Sequence, residues 1–120
     1  MKKTYGLSGR SDEVVSIIYS SWVRAFGSAD AASFLFMLSR WHDKGSRDDG
    51  FIYKSREEIE EETGIKRGRQ ISLRASLEKL GVLETKLFRA NGHATLHYRL
   101  NVDLAQKMID LARKELDAAK

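Results

Sequence analysis

The stretch Ser55-Arg-Glu-Glu-Ile-Glu-Glu-Glu-Thr-Gly-Ile-Lys-Arg-Gly-Arg-Gln-Ile71 decides the fold. Ser55 with Glu58 three residues on has the spacing of a capping box. In that arrangement each side chain accepts a hydrogen bond from the other residue's backbone N–H, which predicts a helix from Arg56 to about Glu62. Thr63-Gly64-Ile65 then stops the helix, because glycine reaches the positive φ that an abrupt helix end requires. A second helix is expected from about Arg67 to Leu80, closed by Gly81.

Before the capped helix Phe51-Ile52-Tyr53 reads as a short strand, with a loop over 44–50 ahead of it. Ser28 is placed to cap an earlier helix reaching about Asp43. Its centre, Phe34 to Leu38, is apolar on every side, so it belongs in the middle of the core or at a subunit interface. A first helix is expected from Ser11 to Phe26, with Ser11 as cap and Val14, Ile18, Trp22 and Phe26 in one stripe. Downstream, Asn91-Gly92 between two β-prone runs, Val82–Arg89 and Ala94–Leu100, is a hairpin signal. A last helix runs from Val102 to about Ala118, with Leu104, Met108, Leu111 and Ala112 on one side.

A chain of 120 residues supports a single domain over residues 1–120. N-terminal helices occupy 10–45, a central unit 51–100 and a C-terminal helix 102–118. The fold class is α+β, mainly helical with one small β-hairpin. With no cysteine there is neither a disulfide nor a thiolate metal site. No run approaches the ~20 apolar residues of a membrane helix and no secretion signal is evident, so a cytoplasmic protein is expected. Charge is unevenly spread: residues 66–99 hold eight Lys or Arg against two Glu, whereas the rest of the chain is close to balance. A basic block inside a balanced protein is the electrostatic footprint of a nucleic-acid binder.

The order helix, strand, capped helix, tight turn, basic helix, hairpin resembles a winged helix-turn-helix. Phe51 to Ile65, Lys66-Arg-Gly-Arg-Gln-Ile71 and Leu77-Glu-Lys-Leu-Gly-Val-Leu-Glu84 carry the likeness. They look like the winged-helix domains of bacteriophage and plasmid DNA-binding proteins, including replication initiators and replisome organisers. The pattern covers about residues 51–100, and the flanking helices are additions to it. The resemblance implies a recognition helix beginning at Lys66, a wing at the hairpin and double-stranded DNA as the ligand.

On a helical wheel Leu73, Leu77 and Leu80 share one side and are expected to face the core. The opposite side collects Arg67, Gly68, Ile71, Ser72, Ala75 and Lys79, whose small members would admit base edges closely. Arg67 is suited to a bidentate bond with guanine, and Ile71 to a thymine methyl. Lys66, Arg69 and Arg74 lie toward the flanks, where phosphates run. Gln70 is included in the DNA-binding set, although its angle falls near the leucines. Lys54, Ser55 and Arg56 begin the preceding helix, whose N-terminal amides suit a phosphate. Lys86, Arg89, Asn91 and His93 surround the hairpin tip and would make the wing contact.

Other chemistry finds little support. The glutamates from Glu57 to Glu62 read as a solvated helix face without His or Asp at ligand spacing. His93 and His97 would stand ~13 Å apart on a strand, too far for one metal. No nucleophile arrangement, phosphate-cradling glycine loop or carboxylate pair is present, so neither an enzyme nor a cofactor is expected. The expected function is sequence-specific DNA binding for a mobile element, as a transcriptional regulator or a binder of replication or partition sites. A homodimer through the N-terminal and C-terminal helices is expected, because one winged helix reads few base pairs. The alternative is a winged helix serving as a protein-interaction module without DNA binding.

Overall fold

Residues 18–45, 47–90 and 92–119 are described by the structure, a computed structural model. Their elements follow in the order α1 (Ser20–Phe26), α2 (Ala29–Trp41), β1 (Ile52–Tyr53), α3 (Arg56–Thr63), α4 (Arg67–Leu80), β2 (Leu83–Ala90), β3 (His93–Leu100) and α5 (Val102–Ala118). The strands form one antiparallel sheet in the order β1-β3-β2. The protein is therefore mainly helical with a small three-stranded sheet.

The helix without a polar face lies at the centre. Phe34, Leu35, Met37 and Leu38 of α2 are all but inaccessible and pack with Ile52, Ile59, Ile65, Leu73, Leu77, Val82 and Tyr98. Of the two places that the sequence allowed for this helix, its own core takes it. Ser28 caps α2 as expected, accepting from the Ala31 N–H at 3.2 Å.

The first helix is shorter than its pattern suggests. Tyr19 has extended backbone and α1 starts only at Ser20, without a side-chain cap. The expected cap at Ser11 and the stripe residue Val14 fall outside the described residues. Ile18, also placed in that stripe, is non-helical and exposed. Instead of continuing the helix, the Tyr19 ring packs on Trp22 and Phe36, 5.6 and 6.3 Å between centroids.

A second correction concerns Leu80, placed with the core leucines by the wheel but 43% exposed. The helix ends at Leu80, and the chain turns at Gly81 so that Val82 and Leu83 fill the interior instead. The strands begin and end within about a residue of expectation, in register from Leu83↔Leu100 to Ala90↔His93. Gly92 at φ 79° permits that two-residue connection. Among the described residues no helix is long and apolar enough to cross a membrane.

Candidate nucleic-acid interface

The turn between α3 and α4 is held by local bonds that its residue types dictate. Ser55 and Glu58 form the reciprocal capping box, with the Glu58 N–H donating to Ser55 Oγ at 3.1 Å and the Ser55 N–H to Glu58 Oε1 at 2.9 Å. That backbone donor lowers the Glu58 pKa, so the carboxylate stays charged beside the positive helix end. At the far end, Thr63 Oγ1 donates to the Ile59 carbonyl and accepts from the Ile65 N–H. Gly64 takes φ 76°, a conformation that a side chain would strain.

Gln70, which the sequence places with the DNA-binding set, is buried and ties the two helices together instead. Only 2% of it is accessible, and its Nε2 donates to the carbonyls of Arg56 at 3.0 Å and Ile65 at 2.7 Å. One buried amide thus ties the start of α3 and the turn to α4. Its satisfied bonds stabilise the arrangement, because a buried amide left unpaired is costly.

With the angle set, α4 divides cleanly. Leu73 and Leu77 enter the core, while Arg67, Gly68, Ile71, Ser72, Ala75 and Lys79 are exposed together, as the wheel predicts. A Cβ added to Gly68 would meet nothing within 4 Å, so packing does not require glycine there. Arg67 makes no hydrogen bond or ion pair among the described residues. Lys66 is exposed and 3.6 Å from Glu60, while Arg56 is 3.3 Å from Glu57. Exposed pairs of this kind are weak enough to yield to a ligand.

Beside this face lies a groove of about 370 Å³. Arg67, Ile71 and Arg74 of α4 form one wall, Ala94, Thr95, Leu96 and Tyr98 of β3 another, and Tyr53 to Glu57 the end. Arg74 interacts with Tyr98, whose own hydroxyl pKa is raised chiefly by burial. Sequence alone does not bring the β3 wall to this face. Strand alternation was the available signal, since Ala94, Leu96 and Tyr98 necessarily share a face. Which element that face meets is a tertiary fact.

The hairpin carries Lys86, Arg89 and His93, all exposed, away from the core. Arg89 reaches the Gly92 carbonyl at 3.5 Å. Asn91 lies outside the described residues. Leu87, 64% exposed, stands opposite Leu96 on the groove side of the sheet. The other side holds an aromatic and cationic cluster that the sequence did not reveal. Phe88 packs on Phe51 and His97, with centroids 5.4 and 4.8 Å away, and the Arg47 guanidinium lies 3.7 Å over its ring. This cation–π contact ties the outer half of the hairpin to the loop before β1. Arg47 in turn lowers the Asp49 pKa to about 2 through hydrogen bonding.

Two further basic residues are engaged by carboxylates of other helices, one buried and one at the surface. Lys54, assigned to DNA from its place before α3, is buried and paired with Glu62, with its ammonium 4.4 Å above the Trp41 ring. Trp41 Nε1 donates to the same carboxylate at 3.0 Å. Glu62 is therefore not one of a solvated run but the anchor between α2 and α3. Arg69, assigned to phosphate, donates to both Asp30 oxygens at 2.5 and 2.9 Å and approaches Ser28 and Ser72. Bonding to Arg69, then to Ser28, holds the Asp30 carboxyl well below the usual carboxylate range. That pair clamps α4 to the start of α2.

Ser55, Arg56, Lys66, Arg67, Ile71, Ser72, Arg74 and Ala75 thus surround one face and its groove, with Lys86, Arg89 and His93 on the adjoining hairpin. Among the described residues no group of three or more His, Cys, Asp or Glu is arranged to hold a metal. In comparisons with known proteins, no family, curated protein or solved structure matches the chain.

Proposed function

We propose that the chain is a winged helix-turn-helix protein that binds double-stranded DNA, with α4 in the major groove and the β2–β3 hairpin as the wing. The observation that carries this reading is the slim exposed face of α4, headed by an uncommitted Arg67 and bordered by the arginine-lined groove. A helix needs small residues and few protrusions to approach base edges, and Gly68, Ser72 and Ala75 supply them. The strand order β1-β3-β2, with α3 and α4 between β1 and β2, is the connectivity that a winged helix requires. In this reading Arg67 and Ile71 contact bases, Lys66, Arg56 and Arg74 contact phosphates, and the wing adds Lys86, Arg89 and His93. The biological role that follows is regulation of transcription, or the marking of a replication or partition site, for a mobile element.

Titration of a labelled duplex pool by fluorescence anisotropy across a salt series tests the proposal. Affinity should fall steeply as salt rises, because each phosphate contact releases counterions. Arg67→Ala should lose about 1–3 kcal/mol on the selected site and narrow its margin over other sequences, whereas Arg89→Ala should weaken all sequences alike. Absence of duplex binding at low salt overturns the reading and leaves the interaction-module alternative. Selecting bound fragments from the encoding genome then separates the roles: a site in the gene's own promoter means repression, and iterated repeats mean replication or partition.

A further inference from the structure

A helix lying in the major groove has a phosphate strand along each of its flanks. The two flanks of α4 are not alike. Arg67 and Arg74 stand on one of them and line the groove toward β3. Arg69 stands on the other, roughly 150° round the helix from both, and there Asp30 of α2 takes it up. The Arg69 Nε and Nη2 donate to the two Asp30 oxygens at 2.5 and 2.9 Å, and Nη1 donates to Ser72 Oγ at 3.2 Å. Ser72 belongs to the exposed side of α4, so the guanidinium lies at the border of that face and not behind the helix. Asp30 stays ionised, its carboxyl held well below the usual carboxylate range chiefly by the bond to Arg69.

We infer that Asp30 is an affinity-setting residue of the DNA site, keeping Arg69 off the phosphate strand on the α2 flank. The inference rests on the DNA reading of α4 and adds to it that the helix grips one strand more tightly than the other. A carboxylate and a phosphate are alternative anions for one guanidinium, because both take the same planar fork of donors. With Nε and Nη2 spent on Asp30, Arg69 has no free pair of donors to offer a phosphate. The carboxylate also repels a phosphate that comes near, as like charges across an interface do. Stability gains little in exchange. The Arg69 and Asp30 side chains are 46% and 33% exposed, and ion pairs so exposed add only modestly to a fold.

Asp30→Asn tests this, since it removes the charge and keeps the oxygen that accepts from Ser28. On the genomic duplex that wild type selects, the variant should bind about fivefold tighter, with a salt dependence steeper by about one unit of slope, as one added phosphate contact requires. Its melting temperature should fall, because the pair is lost. A purely structural role for the pair would lower affinity as well, so the opposite signs are the signature. Ethylation interference locates the gain. One phosphate that wild type ignores should become necessary to Asp30→Asn, and should be ignored again when Arg69→Gln is added. Unchanged or weaker binding by Asp30→Asn overturns the proposal and leaves the DNA reading standing. Tighter binding with no new phosphate also overturns it, because loss of a nearby negative charge then suffices. If wild type binds no duplex at low salt, the DNA reading falls and this inference with it.

Discussion

Helices α2 and α4 are nearly the same length, thirteen and fourteen residues, yet they do opposite things. Seven residues of α2 are buried, from Ala31 to Leu38, whereas α4 buries only Gln70, Leu73 and Leu77. Removing apolar surface from water is what α2 contributes, and it does so on all sides. The other helix is fixed along one narrow strip, and its remaining surface is left available. Where stability is concentrated in one helix, its neighbour can present Gly68, Ser72 and Ala75, residues that add nothing to the interior. The two are joined directly by the Arg69–Asp30 pair, so the exposed helix is aligned by the buried one.

That division can be broken most severely at Phe34. Phe34→Ala should cost about 4 kcal/mol, read from the urea midpoint, because it leaves a cavity at the centre of the core. If the loss is under about 1 kcal/mol, α2 is not the centre of stability. Next in size, Gln70→Leu should cost about 2 kcal/mol by stranding the Arg56 and Ile65 carbonyls. An unchanged midpoint would show that the amide is not what sets the angle between α3 and α4.

Asp30→Asn sharpens the comparison at the joint between the helices, with a smaller effect. The folded-state pKa of Asp30 is depressed below its ordinary 3.8, so the pair stabilises the fold above that pH. The contribution is lost as the pH falls below 3.8 toward the folded value. Wild type should therefore be the more stable protein near neutrality, with the difference closing in acid below 3.8. A difference independent of pH would assign the effect to the Ser28 cap rather than to the charge. The smallest change is Gly68→Ala, expected to raise stability by about 0.5 kcal/mol through helix propensity, since the space above it is open. The same change should weaken duplex binding if α4 approaches bases closely, which anisotropy reads directly.

Most element boundaries were legible because they depend on neighbours in the chain. The Ser55–Glu58 box, the Thr63-Gly64 stop and the hairpin at residues 91–92 are signals spanning four residues or fewer, and the fifth helix matches its expected span. The exposed side of α4 was legible too, because helical periodicity assigns a face without reference to any partner. Side chains whose partners are distant were not. Lys54 and Arg69 read as surface cations in the sequence, and nothing local marks the Glu62 and Asp30 that take them up.

Local sequence accounts for the order of elements, their caps and turns, the concentration of positive charge in residues 66–99 and the slim side of the basic helix. Only the tertiary structure decided which basic groups remain available for a ligand. Arg69 and Asp30 lie 39 positions apart, and Gln70 reaches back 14 to the Arg56 carbonyl. Leu80, which the wheel places with the core leucines, is exposed while Val82 is buried, because the chain turns between them at Gly81. The physical reason is common to all of these. Backbone capping and periodicity are fixed over a few residues, whereas burial and ion pairing follow from which surfaces meet, and that is a property of the whole chain.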